Sequence, residues 1–177
     1  MRDFVETGIQ HRFDLVEEHV RRENAHDLDG ILATFGTSPS YHDEPWQDHR
    51  TGADSVRQYY EELLAAVPDL RIEILHRHAG TAAVILEVMI SGTHQHAWRG
   101  LPATGHRFTF PLCAVYSFDE QDRLASERIY YDRAGVLRQL GVFFEPSTAM
   151  GRLLTGLTHP LTIARAYGRM LLRRRSS

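Results

Sequence analysis

The sequence has 177 residues, a formal net charge of −3, 42% hydrophobic residues and 24% charged residues. This composition is ordinary for a globular protein and excludes wholesale disorder, and the acidic balance argues against nucleic-acid binding, which usually needs a basic domain. The one cysteine, Cys113, allows no internal disulfide, and every apolar run is far shorter than the roughly 20 residues of a membrane span. The charged start of the chain lacks a signal-peptide core, so a cytoplasmic location is expected.

The first part of the chain predicts two helices. Apolar residues recur at helical spacing over about 8–23 and again over 28–35, and Gly36 provides a stop for the second helix. Tyr41 and His42 then indicate a short strand.

A polar loop and a third helix follow. The segment 43–50, which contains Trp46, is interpreted as a loop over the mouth of a pocket. The segment 51–54 has the pattern of a capping box and predicts a helix that ends before Pro68. Tyr59 lies on the inward face of that helix.

The second half of the chain predicts antiparallel strands and then one short helix. The predicted strands cover 71–75, 82–90, 107–118 and 124–131, and the helix covers 134–140. Helices followed by a run of strands indicate the α+β class. Helices laid across a strongly curved sheet leave a cone with an open end, which is a natural pocket for a small molecule.

The last segment, 146–177, is predicted to be a helical extension beyond a domain of residues 1–145. Apolar residues lie on one helical face, and arginines lie mostly off it: Ile163, Tyr167, Met170 and Leu171, against Arg165, Arg169, Arg173, Arg174 and Arg175. Such a helix can lie on anionic lipid. The alternative is favoured, namely a helix packed on its own domain or on a second subunit, so a membrane partner is not expected.

Several short motifs occur in a fixed order along the chain: Gly52 with 56–60, Pro68-Asp69, Gly92-Thr93-His94, 100–105, Glu127, Tyr131-Asp132 and 137–141. In this order and spacing they resemble the SnoaL-like polyketide cyclases of the nuclear-transport-factor-2-like superfamily, over about 14–141. The resemblance implies a cystatin-like α+β barrel with a small-molecule substrate. Such sheets often expose an apolar outer face, so a homodimer is also expected.

The resemblance also implies a chemistry. Its members close a ring by intramolecular aldol condensation with no metal and no organic cofactor, and an aspartate that matches Asp132 is their acid/base. Many relatives carry Trp where this chain has Arg128. This departure changes the pocket wall, and the substrate is therefore not given by the resemblance.

Alternation on the last strand places Asp132, Tyr130 and Arg128 on one side of the sheet, which is expected to face the pocket. Burial against apolar walls raises the pKa of a carboxylic acid, so that one group both takes and returns a proton. Arg128 would hold a substrate carboxylate or oxyanion, and Tyr130 would shape the pocket. The alternative role for Asp132 is an N-cap of the helix 134–140, and the two roles are compatible.

Two histidines precede the long strand. His94 is expected to orient a substrate carbonyl, and the alternative is a strand-end histidine whose ring bonds to the backbone. Together with His42 or His106, His94 and His96 could ligate a metal. No cysteine or acidic triad accompanies them, so no metal is expected.

Five further residues complete the expected substrate-binding set. Tyr41 and His42 either position the substrate or form a pair at the rim or at an interface. Trp46 is either a lid over the ligand or loop packing. Tyr59 and His96 are included as candidate pocket residues.

Three functions therefore remain open from the sequence. The first is a cofactor-independent enzyme, of the cyclase or isomerase type, that acts on a small carbonyl compound. The second is an epoxide hydrolase in which Arg128 and Asp132 assist attack by water, although no second activating carboxylate is identified. The third is a binding protein without catalysis.

Overall fold

The computed structural model describes residues 2–80 and 82–174, and the side chains of residues 8–80 and 82–170. The predicted faces of Leu171, Arg173, Arg174 and Arg175 therefore lie outside the described side chains. Contacts divide the chain into two compact units, Met1–Leu140 and Gly141–Ser177. Each unit is described by itself below.

The first unit contains four helices and six strands. The helices are α1 (Arg2–Asn24), α2 (Leu28–Ala33), α3 (Ala53–Ala66) and α4 (Arg133–Gln139), and a 3₁₀ turn covers Glu44–Trp46. The strands are β1 (Phe35–Asp43), β2 (Asp48–Thr51), β3 (Arg71–Ala79), β4 (Ala83–Thr93), β5 (Arg107–Phe118) and β6 (Leu124–Tyr131). The predicted α+β class is confirmed.

The strands form one curved sheet in the order β2-β1-β6-β5-β4-β3. Neighbouring strands are antiparallel, except that β1 runs parallel to β6. The sheet is therefore mixed rather than wholly antiparallel. The parallel pair places the end of β1 beside the end of β6, with Asp43 opposite Ile129.

The first strand is longer than its sequence indicates. The pairing register of β1 with β6 shifts between Phe35 and Ser40, around Pro39, which cannot donate a ladder hydrogen bond. The composition of this stretch predicts a loop, but pairing on both sides of β1 makes it a strand. The predicted loop 43–50 similarly contains the 3₁₀ turn and most of the short edge strand β2.

One face of the sheet packs against α1, α2 and α3 and forms the core with them. The helices contribute Val16, Val20, Ile31, Val56, Tyr59 and Tyr60, and the strands contribute Val84, Leu86, Val88, Ile90, Ala114, Tyr116 and Ile129. The alternation of side chains along each strand assigns one set to this face. None of the described helices is long and apolar enough to cross a lipid bilayer.

The second unit contains two helices, α5 (Ala149–Thr158) and α6 (Pro160–Arg174). The Thr148 side chain caps α5 by accepting a hydrogen bond from the Gly151 backbone at 3.0 Å. His159 ends α5, and Pro160 at the first position of α6 starts the next helix. The two helices contact each other and form a hairpin.

Candidate functional site

A cavity lies between the helices and the inner face of the sheet. Its volume is about 70 Å³, which is smaller than the roughly 300–1,000 Å³ of drug-sized small-molecule sites. Aliphatic and aromatic side chains form most of its wall. Its polar members are Glu23, Tyr41, Tyr59, Tyr116, Glu127 and Tyr131.

The residues of β6 that face this cavity are Glu127, Ile129 and Tyr131. Glu127 and Ile129 are buried, at 3% and 5% exposure. The intervening residues Arg128 and Tyr130 point to the other side of the sheet, where they are about half exposed. The prediction placed Arg128, Tyr130 and Asp132 toward the cavity, and the alternate residues of β6 face it instead.

A buried polar cluster, formed by His19, Glu23, Tyr60, Tyr116 and Glu127, lies at the cavity wall. Glu127 accepts hydrogen bonds from the hydroxyls of Tyr60 and Tyr116, at 2.9 and 3.2 Å. The His19 Nε2 lies 3.2 Å from the same carboxylate and 3.7 Å from an oxygen of Glu23. We call this group the carboxyl cluster.

The orientation of the His19 ring follows from its hydrogen bonds. The Thr34 hydroxyl donates its proton to the Ile31 carbonyl oxygen at 2.6 Å, so at 2.7 Å from His19 Nδ1 it can only accept. The proton on Nδ1 is thereby fixed, and Nε2 is left to face the carboxyl groups. A protonated Nε2 donates to Glu127, whereas an unprotonated one would set a lone pair against a carboxylate.

The two carboxyl groups of the cluster differ in their protonation. Burial raises the pKa of Glu23 to about 8, and the adjacent charge of Glu127 adds to the effect. Glu127 has three donors around it, from His19, Tyr60 and Tyr116. Burial alone would lower the pKa of His19, but the attraction of Glu23 and Glu127 outweighs burial and raises it. Near neutral pH Glu23 is therefore a carboxylic acid beside the Glu127 side chain.

Buried hydroxyls supply the remaining polarity of the wall. Burial raises the pKa of Tyr41, Tyr59 and Tyr116 well above the ordinary value for tyrosine. These side chains consequently keep their protons and act as hydrogen-bond donors at all working pH values. The cavity thus offers neutral donors and one acid/base pair within an apolar enclosure.

A second buried carboxylate, Asp43, lies behind Tyr59. Its side chain has no exposure and its Oδ2 is bound by the Tyr59 hydroxyl at 3.3 Å and the Arg99 guanidinium at 3.0 Å. Its Oδ1 has no hydrogen-bond partner among the described residues. Burial raises the pKa of Asp43, and the positive charge of Arg99 partly offsets that effect.

Arg99 is presented by a tight turn between β4 and β5. Trp98 and Leu101 exchange two backbone hydrogen bonds of 2.9 Å, and Arg99 and Gly100 between them have φ values of 51° and 77°. Positive φ at both central positions is the geometry of a type I′ turn. The guanidinium also lies 4.8 Å from the Trp98 ring and 5.2 Å from the Trp46 ring, so Trp46 packs on the loop's arginine.

Asp132 does not line the cavity. Its carboxylate is 66% exposed and lies 3.3 Å from the Arg138 guanidinium. It occupies the N-cap position of α4, although its side chain makes no capping hydrogen bond. The predicted burial of Asp132 against apolar walls is therefore wrong. Tyr131 faces the cavity, and because consecutive side chains alternate in direction, the next residue, Asp132, points away from it.

The same alternation corrects three other placements. Arg128 and Tyr130 face away from the cavity, and His42, on β1 between the inward-facing Tyr41 and Asp43, does so as well. Arg128 lies 3.3 Å from Glu44, whose other oxygen is 3.4 Å from His49. The prediction that Arg128 and Tyr130 face the cavity is wrong, whereas roles of the three side chains in binding a substrate stay predictions.

The two candidate histidines are also outside the cavity lining. His94 is 1% exposed and its Nδ1 accepts a hydrogen bond from the Thr104 backbone at 3.3 Å, while Nε2 has no partner among the described residues. Burial lowers the pKa of His94. His96 is exposed in the β4–β5 connection. They do not share a strand face, because β4 ends at Thr93.

The predicted residues that do line the cavity are Tyr41 and Tyr59. Their rings stack with centroids 4.1 Å apart, and both are almost fully buried. Tyr41 comes from β1 and Tyr59 from α3, so the tertiary fold brings them together. Their roles in binding a substrate stay predictions.

Two groups within the described side chains bring three possible metal ligands within 4.8 Å of one another. One is His42, Glu44 and His49 at the surface, and the other is formed by three members of the carboxyl cluster, His19, Glu23 and Glu127. Neither group contains His94 or His96. In the buried group His19 Nε2 lies 3.2 Å from Glu127 and 3.7 Å from Glu23, so attraction between these side chains accounts for its geometry.

Sequence reasoning missed His19, Glu23 and the inward role of Glu127, yet a signal was present. Residues 16, 19, 20 and 23 have the spacing i, i+3, i+4, i+7 of one helical face, which places His19 and Glu23 in line with Val16 and Val20. On β6, the apolar Ile129 marks the inward set. Polar residues that interrupt an apolar pattern are the ones to examine.

Comparison with known proteins is consistent with this geometry. The family model of the SnoaL-like polyketide cyclases matches residues 14–140. No curated protein matches the sequence significantly. Among solved structures, AclR, a candidate hydroxylase from Streptomyces galilaeus, is 23% identical with a TM-score of 0.67, and the alignment covers 77% of this chain and 89% of AclR.

Two further structures are similar. A candidate polyketide cyclase from Xanthomonas campestris pv. campestris is 17% identical with a TM-score of 0.68, covering 75% of this chain and 98% of its own. SalBIII, an epoxide hydrolase/cyclase-like enzyme of pyran ring formation in salinomycin, is 23% identical with a TM-score of 0.61, covering 71% and 94%. These identities establish the shared fold alone. The family model spans most of the chain, and the protein therefore belongs to the SnoaL-like polyketide cyclase family.

Proposed function

We propose that the protein is a cofactor-independent acid/base enzyme that closes a ring in a small, largely apolar carbonyl compound by aldol chemistry. The observation that supports this most directly is the carboxyl cluster, where Glu23 and Glu127 line an apolar cavity with carboxyl oxygens within 4.8 Å of each other and burial raises the pKa of Glu23. Membership of a polyketide cyclase family supports the same class of substrate.

The chemistry needs one base and one acid, and the pair supplies both. The Glu127 carboxylate takes a proton from a carbon that flanks a carbonyl group, and the resulting enolate attacks a second carbonyl to form the new carbon–carbon bond. The Glu23 carboxylic acid then gives its proton to the alkoxide. His19, whose Nε2 lies 3.2 Å from Glu127 and 3.7 Å from Glu23, carries the proton back between the two.

The cavity wall supports this proposal electrostatically. Negative charge that develops on a substrate oxygen is stabilised by fixed donors in a site that excludes water. The protonated hydroxyl of Tyr41 supplies such a donor, whereas that of Tyr59 already donates to Asp43, and the aliphatic wall excludes water. The acid/base role that the resemblance gives to Asp132 is thereby assigned to the carboxyl cluster in this proposal.

The test is a pair of isosteric variants assayed with 2-tetralone, an apolar bicyclic ketone, whose α-proton exchange in D₂O is followed by NMR. Glu127→Gln is expected to lower the exchange rate roughly 10²- to 10⁴-fold, the usual contribution of a positioned base, because exchange of the α-proton needs the base that removes it. Binding, measured by quenching of tryptophan fluorescence, should stay within about threefold.

Asp132→Asn is the matched control, since it neutralises a carboxylate outside the cavity. It should keep the wild-type exchange rate within about threefold. Full activity of Glu127→Gln, or equal losses in both variants, would reject the assignment. Tight binding with no exchange in the wild type would instead favour a binding protein.

A second candidate, epoxide opening, is favoured by the same juxtaposition of a carboxylate and a carboxylic acid. Glu127 would take a proton from water or from a substrate hydroxyl, and Glu23 would protonate the epoxide oxygen as its bond to carbon breaks. Incubation of an aromatic epoxide in ¹⁸O-labelled water separates the candidates. If ¹⁸O is incorporated into the product and the incorporation depends on Glu23, epoxide hydrolysis is supported. If no ¹⁸O is incorporated and the enzyme still exchanges the ketone α-proton, the first candidate is supported.

A further inference from the structure

The charge of the chain is divided unequally between its two ends. The segment 146–177 holds six of the 20 arginines and none of the 23 acidic residues, so it carries a formal charge of +6 while residues 1–145 carry −9. The net charge of −3 conceals this division. Basic segments of this density are attracted to anionic surfaces.

The same segment exposes large apolar side chains. Six of the eleven exposed large hydrophobic residues of the described side chains lie in α5 and α6: Met150 (55%), Leu153 (58%), Leu157 (67%), Leu161 (71%), Tyr167 (59%) and Met170 (42%). These two helices make up only 25 residues of the chain. A concentration of exposed apolar area of this kind marks a contact surface.

The exposed apolar residues and the arginines lie side by side on the hairpin. In α5, the positions of Met150, Leu153 and Leu157 lie within one narrow sector of the helix. In α6, Leu161, Arg165 and Arg169 follow one another at intervals of one turn, and Tyr167 and Met170 lie on the opposite side of the helix. Neither arginine makes an ion pair with a described residue, and both are exposed.

We propose that the α5–α6 hairpin binds the protein peripherally to an anionic lipid bilayer, with the leucines in the headgroup boundary and the arginines on lipid phosphates and carboxylates. An apolar face beside a basic one is what such a surface requires, whereas a nucleic acid would use the arginines and leave the leucines in water. This inference replaces the expectation that the tail packs on protein. It does not depend on the proposed chemistry of the cavity.

Flotation of the full-length protein with vesicles tests the proposal. One set is pure phosphatidylcholine, and the other is an equal mixture of phosphatidylcholine and phosphatidylserine. The protein should float with the mixed vesicles only, and binding should fall when NaCl is raised from about 0.1 M to about 1 M, because salt screens the attraction. Each arginine at such a surface contributes about fivefold to partitioning.

Two variants and two matched controls sharpen the result. Arg165→Glu/Arg169→Glu should weaken binding at least roughly 25-fold, whereas Arg71→Glu/Arg107→Glu, the same charge change at exposed positions of the first unit, should weaken it much less. Leu157→Ser/Leu161→Ser should also lose binding, and Leu75→Ser should not. Circular dichroism checks that the helices persist.

Four outcomes would overturn the proposal. The first two are equal flotation with neutral and mixed vesicles, and no flotation with either set. The third is an equal loss in the variants and their charge-matched controls. The fourth is conversion of a dimer to a monomer by Leu157→Ser/Leu161→Ser with unchanged vesicle binding. The last would show that the hairpin joins two copies. Retention on duplex DNA without flotation would likewise reject the lipid surface in favour of nucleic acid.

Discussion

Two carboxyl-bearing regions on or beside β6 behave in opposite ways. In the carboxyl cluster, Glu127 is 3% exposed, has three donors and lies at the cavity. Five residues later, Asp132 has a 66% exposed carboxylate with Arg138 beside it. Side chains alternate between the two faces along a strand, and the two residues are an odd number of positions apart. Glu127 therefore faces the apolar cavity, whereas Asp132 faces solvent.

The largest expected effect is on the buried side of this comparison. Glu127→Ala leaves His19 and the hydroxyls of Tyr60 and Tyr116 without their acceptor, so the free energy of unfolding should fall by about 3–5 kcal/mol. Urea denaturation measures this. Glu87→Ala, which removes an exposed carboxylate 3.2 Å from His78, is the control and should change little. Comparable losses in both variants would show that Glu127 is not buried in a network.

An intermediate effect concerns pH. The folded pKa of Glu23, about 8, is above the value of 4.5 expected in the unfolded chain, so the unfolded state binds fewer protons between these values and stability falls as pH rises through this window. Glu23→Gln removes this dependence. Its stability relative to wild type should therefore increase from pH 5 to pH 8, by up to about 1.4 kcal/mol per pH unit.

Denaturation of both proteins at several pH values provides the measurement. The surface carboxylates titrate in both proteins and cancel in the difference, which therefore reports Glu23 together with His19, whose pKa Glu23 helps to raise. A difference that is constant with pH would mean that Glu23 ionises normally, and the acid of the carboxyl cluster would then be missing.

The smallest effect is expected at the exposed side. Asp132→Asn loses one surface ion pair with Arg138, and asparagine remains a favourable N-cap residue for α4. The free energy of unfolding should change by no more than about 0.5 kcal/mol. A loss of several kcal/mol on urea denaturation would show that Asp132 is more enclosed than its exposure indicates. The difference in burial between Glu127 and Asp132 would then not hold.

Much of the fold was predictable, because its elements have local signals. Helical spacing identified most of α1 and α3, and alternation identified β5 and β6. Phe35 was assigned to a helix, although it lies in β1, because the pairing of β1 with β6 connects segments roughly 85 residues apart. No local pattern contains that information.

The candidate site was less predictable. Tyr41 and Tyr59 were expected at the cavity and do line it, whereas Asp132, Arg128 and Tyr130 do not. The motif around Asp132 indicates the family, but it does not indicate which way a side chain points at the end of a strand. The motif is the same whether the side chain at the end of the strand is buried or exposed.

The sequence by itself determined the class of fold, the family and the division of charge between the body and the tail. These properties depend on composition, spacing and the order of motifs, all of which are local or additive along the chain. Only the tertiary structure decided which carboxyl groups are buried together. The raised pKa of Glu23 requires burial and the nearby Glu127 from a distant segment of the chain, and that enclosure exists only after the helices close over the sheet.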